Sequence, residues 1–223
     1  LITTNNPQNT RSTKPDQATQ SHWDHWKAHN IAPIGRMSDA AIRRSFFNQS
    51  VESGNPEHRF KRAYRDLQDK WEGAWGWRLH RHAEELDAGV FSRLRIPVNE
   101  SEAELRAQLH NLALILVDLL NEKSLIQGMD RVSGERGLDK LKRFLENNEY
   151  EYVDRDISLL RKVQQMRSRI AAHASGSGGR AFLEKELGDR SHREYLVELI
   201  EESTQMLLDL RRFAMSQASA LGG

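Results

Sequence analysis

Apolar residues recur along this chain at spacings of three and four, the period of a helix that buries one face. Pro56, well suited to a first helical position, is followed by Phe60, Tyr64, Leu67 and Trp71, an amphipathic stripe that fades at "EGAWGWRLHRH". "FSRLRIPVN" is expected to be extended, because Ile96 precedes a proline. Ser101 and Glu104 then have the spacing of a capping box. The helix behind them is expected to reach about Glu122, with Leu105, Leu109, Leu112, Leu116 and Leu119 inward. After the loop "GMDRVSGERG" the pattern predicts a shorter helix from Leu138 to about Asn147 and another from about Asp154 to Ala174, which "SGSGG" ends. Ser191 is expected to cap a last helix to about Met215, with Leu196, Leu199, Ile200, Met206, Leu207 and Leu210 apolar. Near the start, Ser38 is expected to cap a helix to about Val51, with Ile42, Phe46 and Phe47 inward. Residues 1–20 are rich in Asn, Thr, Gln and Pro and read as a disordered tail. No segment is β-rich. The expected fold is all-α: a bundle of long antiparallel helices over 97–223, with core helices between about 101 and 217, and an N-terminal helical extension over 21–96 that packs on it.

Composition narrows the chemistry. Hydrophobic residues make up 38% and charged residues 29%, a balance that suits helices with one buried stripe and a charged outer face. Net charge is +1, so any attraction for nucleic acid has to be local. The absence of cysteine excludes a disulfide scaffold, a thiol nucleophile and thiolate metal ligands, and fits a cytoplasmic setting. No apolar run reaches the roughly 20 residues of a membrane span. The longest, "LALILVDLL" (Leu112–Leu120), contains Asp118 and reads as a buried helix, so no membrane partner is expected. The chain opens on Leu, as expected of a processed product or a piece of a longer protein.

One stretch carries the candidate chemistry: "RKVQQMRSRIAAHASGSGG", Arg161–Gly179. At roughly 100° per residue, Leu159, Val163, Met166 and Ile170 share a narrow stripe. His173 falls at one edge, near Arg169 and Lys162, and Arg167 falls at the other. From Arg155 to Leu183 there are six basic residues and a single acid, Asp156, so a weakly charged protein has a basic region around one histidine. Guanidinium forks suit phosphate oxygens, and a histidine can take or give a proton near neutral pH. Arg161, Lys162, Arg169 and Arg180 are therefore expected to hold RNA phosphate, with no metal and no cofactor. The same residues admit a plainer reading: a histidine in a last helical turn favours the helix dipole, and Gly176 then terminates the helix.

Arg167, Ser168 and, after five intervening residues, His173 resemble the arginine–polar–histidine motif of the HEPN superfamily of α-helical bundles. The surrounding "LLRKVQQMRSRIAAHASG" has a similar texture, and the likeness covers about half the chain. The resemblance implies a metal-independent endoribonuclease of a prokaryotic defence, stress or toxin–antitoxin system. Two copies would pair with their motifs across the seam, under an antitoxin or other regulatory partner. His173 would be the general base or acid, Arg167 the phosphate contact and Ser168 an orienting group. The family usually has Asn, Asp or His where Ser168 stands. Arg169 has only three residues before His173, which places it one turn away as a support. Members that have lost activity imply the alternative, an inactive helical module that binds RNA, a nucleotide or a protein. A third reading is an assembly module whose leucine stripes pair with another subunit.

Other constellations are weaker. His22, His25 and His29 share a helical face, but tryptophans turned inward with histidines outward explain "HWDHWKAH". His80 and His82 lack a third ligand. "VSGERG" and "SGSGG" follow no strand and lack a P-loop lysine. Glu84–Glu85 and Glu201–Glu202 read as solvated pairs.

Overall fold

The computed structural model describes residues 54–82, 89–172 and 177–221, with backbone alone at 170–172, 177–180 and 220–221. They form α1 (Pro56–Trp75), α2 (Val90–Arg93), α3 (Glu102–Ala113) running into a π-helical turn (Leu114–Asp118), α4 (Glu122–Leu125), α5 (Gly137–Asn147), α6 (Val153–Ala172), α7 (Ser177–Leu187) and α8 (His192–Leu221). No strand occurs among the described residues; a single isolated antiparallel bridge joins His80 to Leu120. The fold is all-α, as the periodicity predicts. The helix expected from Ser38 and the histidines at 22, 25 and 29 lie outside the described residues. Chain contacts divide at Val51/Glu52, and the described residues belong to the second of the two units.

α1 begins where Pro56 fixes the first turn and stops at Gly76, whose φ of 75° suits a glycine cap; its N–H donates to the Glu72 carbonyl. Its inner face buries Phe60, Tyr64, Leu67 and Trp71, the expected stripe. α1 lies along α8. Arg59 pairs with Glu201, Asp66 with Arg211, and Trp71 meets Phe213, so residue numbers rise together and the two helices run parallel. Elsewhere the expected antiparallel order holds. Asp139 and Lys142 of α5 pair with Arg161 and Asp154 of α6, while Arg155 and Lys162 of α6 pair with Asp209 and Glu202 of α8. Short connections force neighbouring helices antiparallel. α1 reaches α8 only after most of the chain has intervened, so that constraint does not bind it.

The leucine stripe of α3 is buried as expected, and so is the apolar face of α8. Four local expectations are corrected. The α3 helix does not continue to Glu122: the Leu119 N–H donates to the Leu114 carbonyl, five residues back, and the chain turns away at Asn121, whose side chain accepts from the Ser124 N–H. Ser101 stands at the N-cap, but its hydroxyl makes no cap bond; its N–H donates to Asn99 Oδ1 and Glu104 reaches Arg95 instead. Val90–Arg93 is one helical turn, and extended backbone begins at Leu94. The glycine-rich stretch after α6 does not only stop a helix, because α7 starts at Ser177 inside it. The capping box forms at α8 instead: the Glu194 N–H donates to Ser191 Oγ at 3.1 Å and the Ser191 N–H to Glu194 Oε2 at 2.9 Å, which holds the Glu194 carboxyl below its usual pKa.

Candidate functional site

The site is built where α6 passes the π turn. α6 buries Ile157, Leu160, Val163 and Met166. The buried stripe is therefore turned from the expected one: Leu160 goes inward and Leu159 is half-buried at the edge of a groove with Lys162. That rotation brings Arg167 to the π turn. There its Nη1 donates to the Asp118 carboxylate, the two side chains being 22% and 32% exposed. Such a partly exposed pair contributes up to about 1 kcal/mol. An arriving anion can therefore take this guanidinium at small cost.

The other expected residues fan around α6. Ser168 donates its hydroxyl to the Gln164 carbonyl at 2.9 Å, so its proton serves its own helix. The Arg169 guanidinium lies 4.6 Å above the Phe182 ring of α7. Lys162 sits between Glu202, at 4.0 Å, and the Tyr195 ring, at 5.5 Å, both on α8. Arg161 pairs with Asp139 of α5 at 2.9 Å. Each of these cations meets a different element, and Arg167 alone among them meets the π turn. His173 lies outside the described residues, and so does the side chain of Arg180.

Two residues at the site had no role in the sequence reading. Asp118 gives its carboxylate to Arg167 and its carbonyl to Arg81, whose Nη2 donates at 2.9 Å. Two guanidiniums thus converge on one aspartate. The signal for Asp118 was a lone charge inside an apolar run, which needs a partner when half-buried. Arg81 carried no signal. It stands beside Asp118 because residues 79–81 bridge 119–121: the Arg81 N–H donates to the Leu119 carbonyl at 2.7 Å, and the Asn121 N–H to the Leu79 carbonyl at 2.9 Å.

His80 locks that bridge from beneath. Its ring is buried, with Gln68 Nε2 2.9 Å from Nδ1 and the Leu116 carbonyl 3.3 Å from Nε2. A carbonyl only accepts, so Nε2 carries the proton and Nδ1 accepts from the amide. Gln68 Oε1 accepts the His80 backbone N–H at 3.0 Å, completing the clasp. Burial, against a smaller opposing effect of the Leu116 carbonyl, pulls the imidazole pKa down from 6.5 to about 4. His80 is thus a neutral core residue. His82 is exposed, 3.4 Å from Arg78.

No group of three or more His, Asp or Glu residues suited to a metal ion occurs among the described residues. No described helix is long and apolar enough to cross a membrane. Compared with known proteins, the chain matches no family model, no curated protein and no solved structure.

Proposed function

We propose that this protein is a HEPN-like, metal-independent endoribonuclease that works as a homodimer in a prokaryotic defence, stress or toxin–antitoxin setting, under a regulatory partner. The observation that carries the reading is the placement of Arg167, the motif arginine. It is neither sealed in the core nor loose in solvent, but held by Asp118 at a partly exposed position where an anion can replace the carboxylate. In the proposed reaction the ribose 2′-oxygen attacks the neighbouring phosphorus. His173 takes the 2′-hydroxyl proton. Arg167 stabilises the charge that builds on the phosphoryl oxygens. The P–O5′ bond breaks, the leaving oxygen takes a proton from the other copy's motif, and the products are a 2′,3′-cyclic phosphate and a 5′-hydroxyl end. Attack by the substrate's own hydroxyl uses only acid–base and electrostatic help, which fits a chain without cysteine.

A second reading has its own observation. The Ser168 hydroxyl is bonded within its helix, where the family usually has a group able to orient the catalytic residues. A module that binds RNA, a nucleotide or a protein without turnover would tolerate that arrangement. The separating experiment is cleavage of single-stranded RNA by the whole protein in EDTA. Arg167→Ala and His173→Ala, each verified as folded and in the wild-type oligomeric state, are expected to lower the rate by about 100-fold or more, the scale for losing one transition-state donor. Cleavage that persists in either variant, or wild type that binds RNA without cutting it, rejects the enzyme reading.

A further inference from the structure

Beside the Arg167–Asp118 pair lies an open groove of about 480 Å³, within the size range of ordinary ligand clefts, roughly 300–1,000 Å³. We propose that Arg81 is a second phosphate-contacting residue of the site, and that this groove carries the adjoining stretch of a single RNA strand. The inference rests on the ribonuclease reading and deepens it by assigning a strand path.

Three features of the groove argue for a nucleic-acid backbone. The first is charge. Arg81, Lys123 and Lys140 line it against one acid, Glu122, so it is net basic in a protein of net charge +1. Lys140 is held by Glu122 at 2.6 Å, whereas Lys123 is exposed and forms no ion pair among the described residues. The second is the floor. Leu120 is buried and Ile126 half-buried, so an apolar surface lies under a basic rim, as stacked bases between phosphates require. The third is fixation. Arg81 is pinned by the bridge between residues 79–81 and 119–121 and by the His80 clasp beneath it, so its guanidinium is held beside the motif arginine by the fold itself. Its one side-chain bond is to the Asp118 carbonyl, which leaves the remaining donors of a five-donor group available.

Asn121, the neutral polar residue of the groove, is spent on the protein: its amide donates to the Arg78 carbonyl and accepts from the Ser124 N–H. No free amide is left there to read base edges. The strand is therefore held by phosphate and stacking, with little sequence preference along this stretch.

The test uses the full chain and a fluorescently labelled single-stranded RNA whose riboses are 2′-O-methylated, so that binding is read without cleavage. Anisotropy titrations in EDTA over a range of salt compare wild type with Arg81→Ala and Lys123→Glu. Each variant is expected to weaken binding by about tenfold and to lower the salt slope by about one. Circular dichroism checks that both are folded, and Lys123, being exposed, supplies a variant that spares the core. Unchanged affinity and slope in both folded variants overturn the groove, even if unmodified RNA is still cut. Weakened binding together with a wild type that cuts nothing upholds the groove as an RNA site and rejects the catalytic reading alone. Failure of the wild type to bind RNA, with an acidic peptide binding instead in a Lys123-dependent way, overturns the inference in favour of a protein partner.

Discussion

His80 shows how a single side chain ties stability to pH. Unfolded, its pKa is 6.5; folded, burial takes it to about 4. Between those values the unfolded chain binds more protons, so stability falls as pH drops through the interval and is fully present above about 6.5. A difference of two to three units corresponds to about 3 kcal/mol. Urea midpoints measured from pH 7 to pH 4 are expected to decline, and His80→Gln is expected to show a shallower decline even if it is less stable at pH 7. Parallel slopes for the two proteins would remove His80 as the cause. At this scale the sequence was informative about chemistry and mute about pairing. It singled out Arg167 by its distance from a histidine. The need of Asp118 for a partner was visible as a charge in an apolar run, but the partner was 49 residues away along the chain. Nothing in "RLHRH" distinguishes a core histidine from a surface one until Gln68 and Leu116 are placed around it.

Among the elements, the two serine caps make a controlled comparison. Both start an S-x-x-E segment, and the local pattern treats them alike. Only Ser191 has its reciprocal bonds with Glu194. Glu104 is drawn off to Arg95, and Asn99 takes the Ser101 N–H. Ser191→Ala is expected to cost about 1 kcal/mol in equilibrium unfolding, and Ser101→Ala no more than a few tenths. Equal losses would mean that the Ser101 hydroxyl caps its helix in solution. Helix existence was legible here because apolar period is a local property. The short segments misread, Val90–Arg93 and Ser177–Leu187, owe their helicity to neighbours. Val90 is fully buried in the common core, and Leu183 and Leu187 bury their apolar sides against the same core. No local pattern contains that information.

For the whole molecule, the parallel pairing of α1 with α8 bears on where an independent unit begins. A composition-based boundary near residue 96 separates α1 from the bundle, yet Phe60, Leu67 and Trp71 are fully buried in the same core as Leu199, Leu207 and Phe144. Each is worth about 2–3 kcal/mol of burial, and together they are comparable with the net stability of a typical domain, about 5–15 kcal/mol. Residues 52–223 produced alone are therefore expected to melt cooperatively. Residues 97–223 are expected to lose cooperative unfolding and to expose the apolar face of α8. A sharp thermal transition in the shorter fragment, followed by far-ultraviolet circular dichroism, would show that α1 is dispensable. The boundary was not legible because a parallel contact between the first and last described long helices leaves no trace in neighbouring sequence.

The π turn at Leu114–Asp118 has a consequence for how this protein tolerates change in length. The turn accommodates one residue more than a regular α-helical ladder would at that point, as the Leu119-to-Leu114 bond records. Deleting one residue there restores the regular ladder but turns everything beyond it by roughly 100°. The Asp118 carboxylate then swings off Arg167, and residues 119–121 lose their match to 79–81. The helix itself is left more regular than before. The motif end of the molecule thus has a reading frame of its own, in which substitutions weaken a contact and a one-residue deletion removes the site.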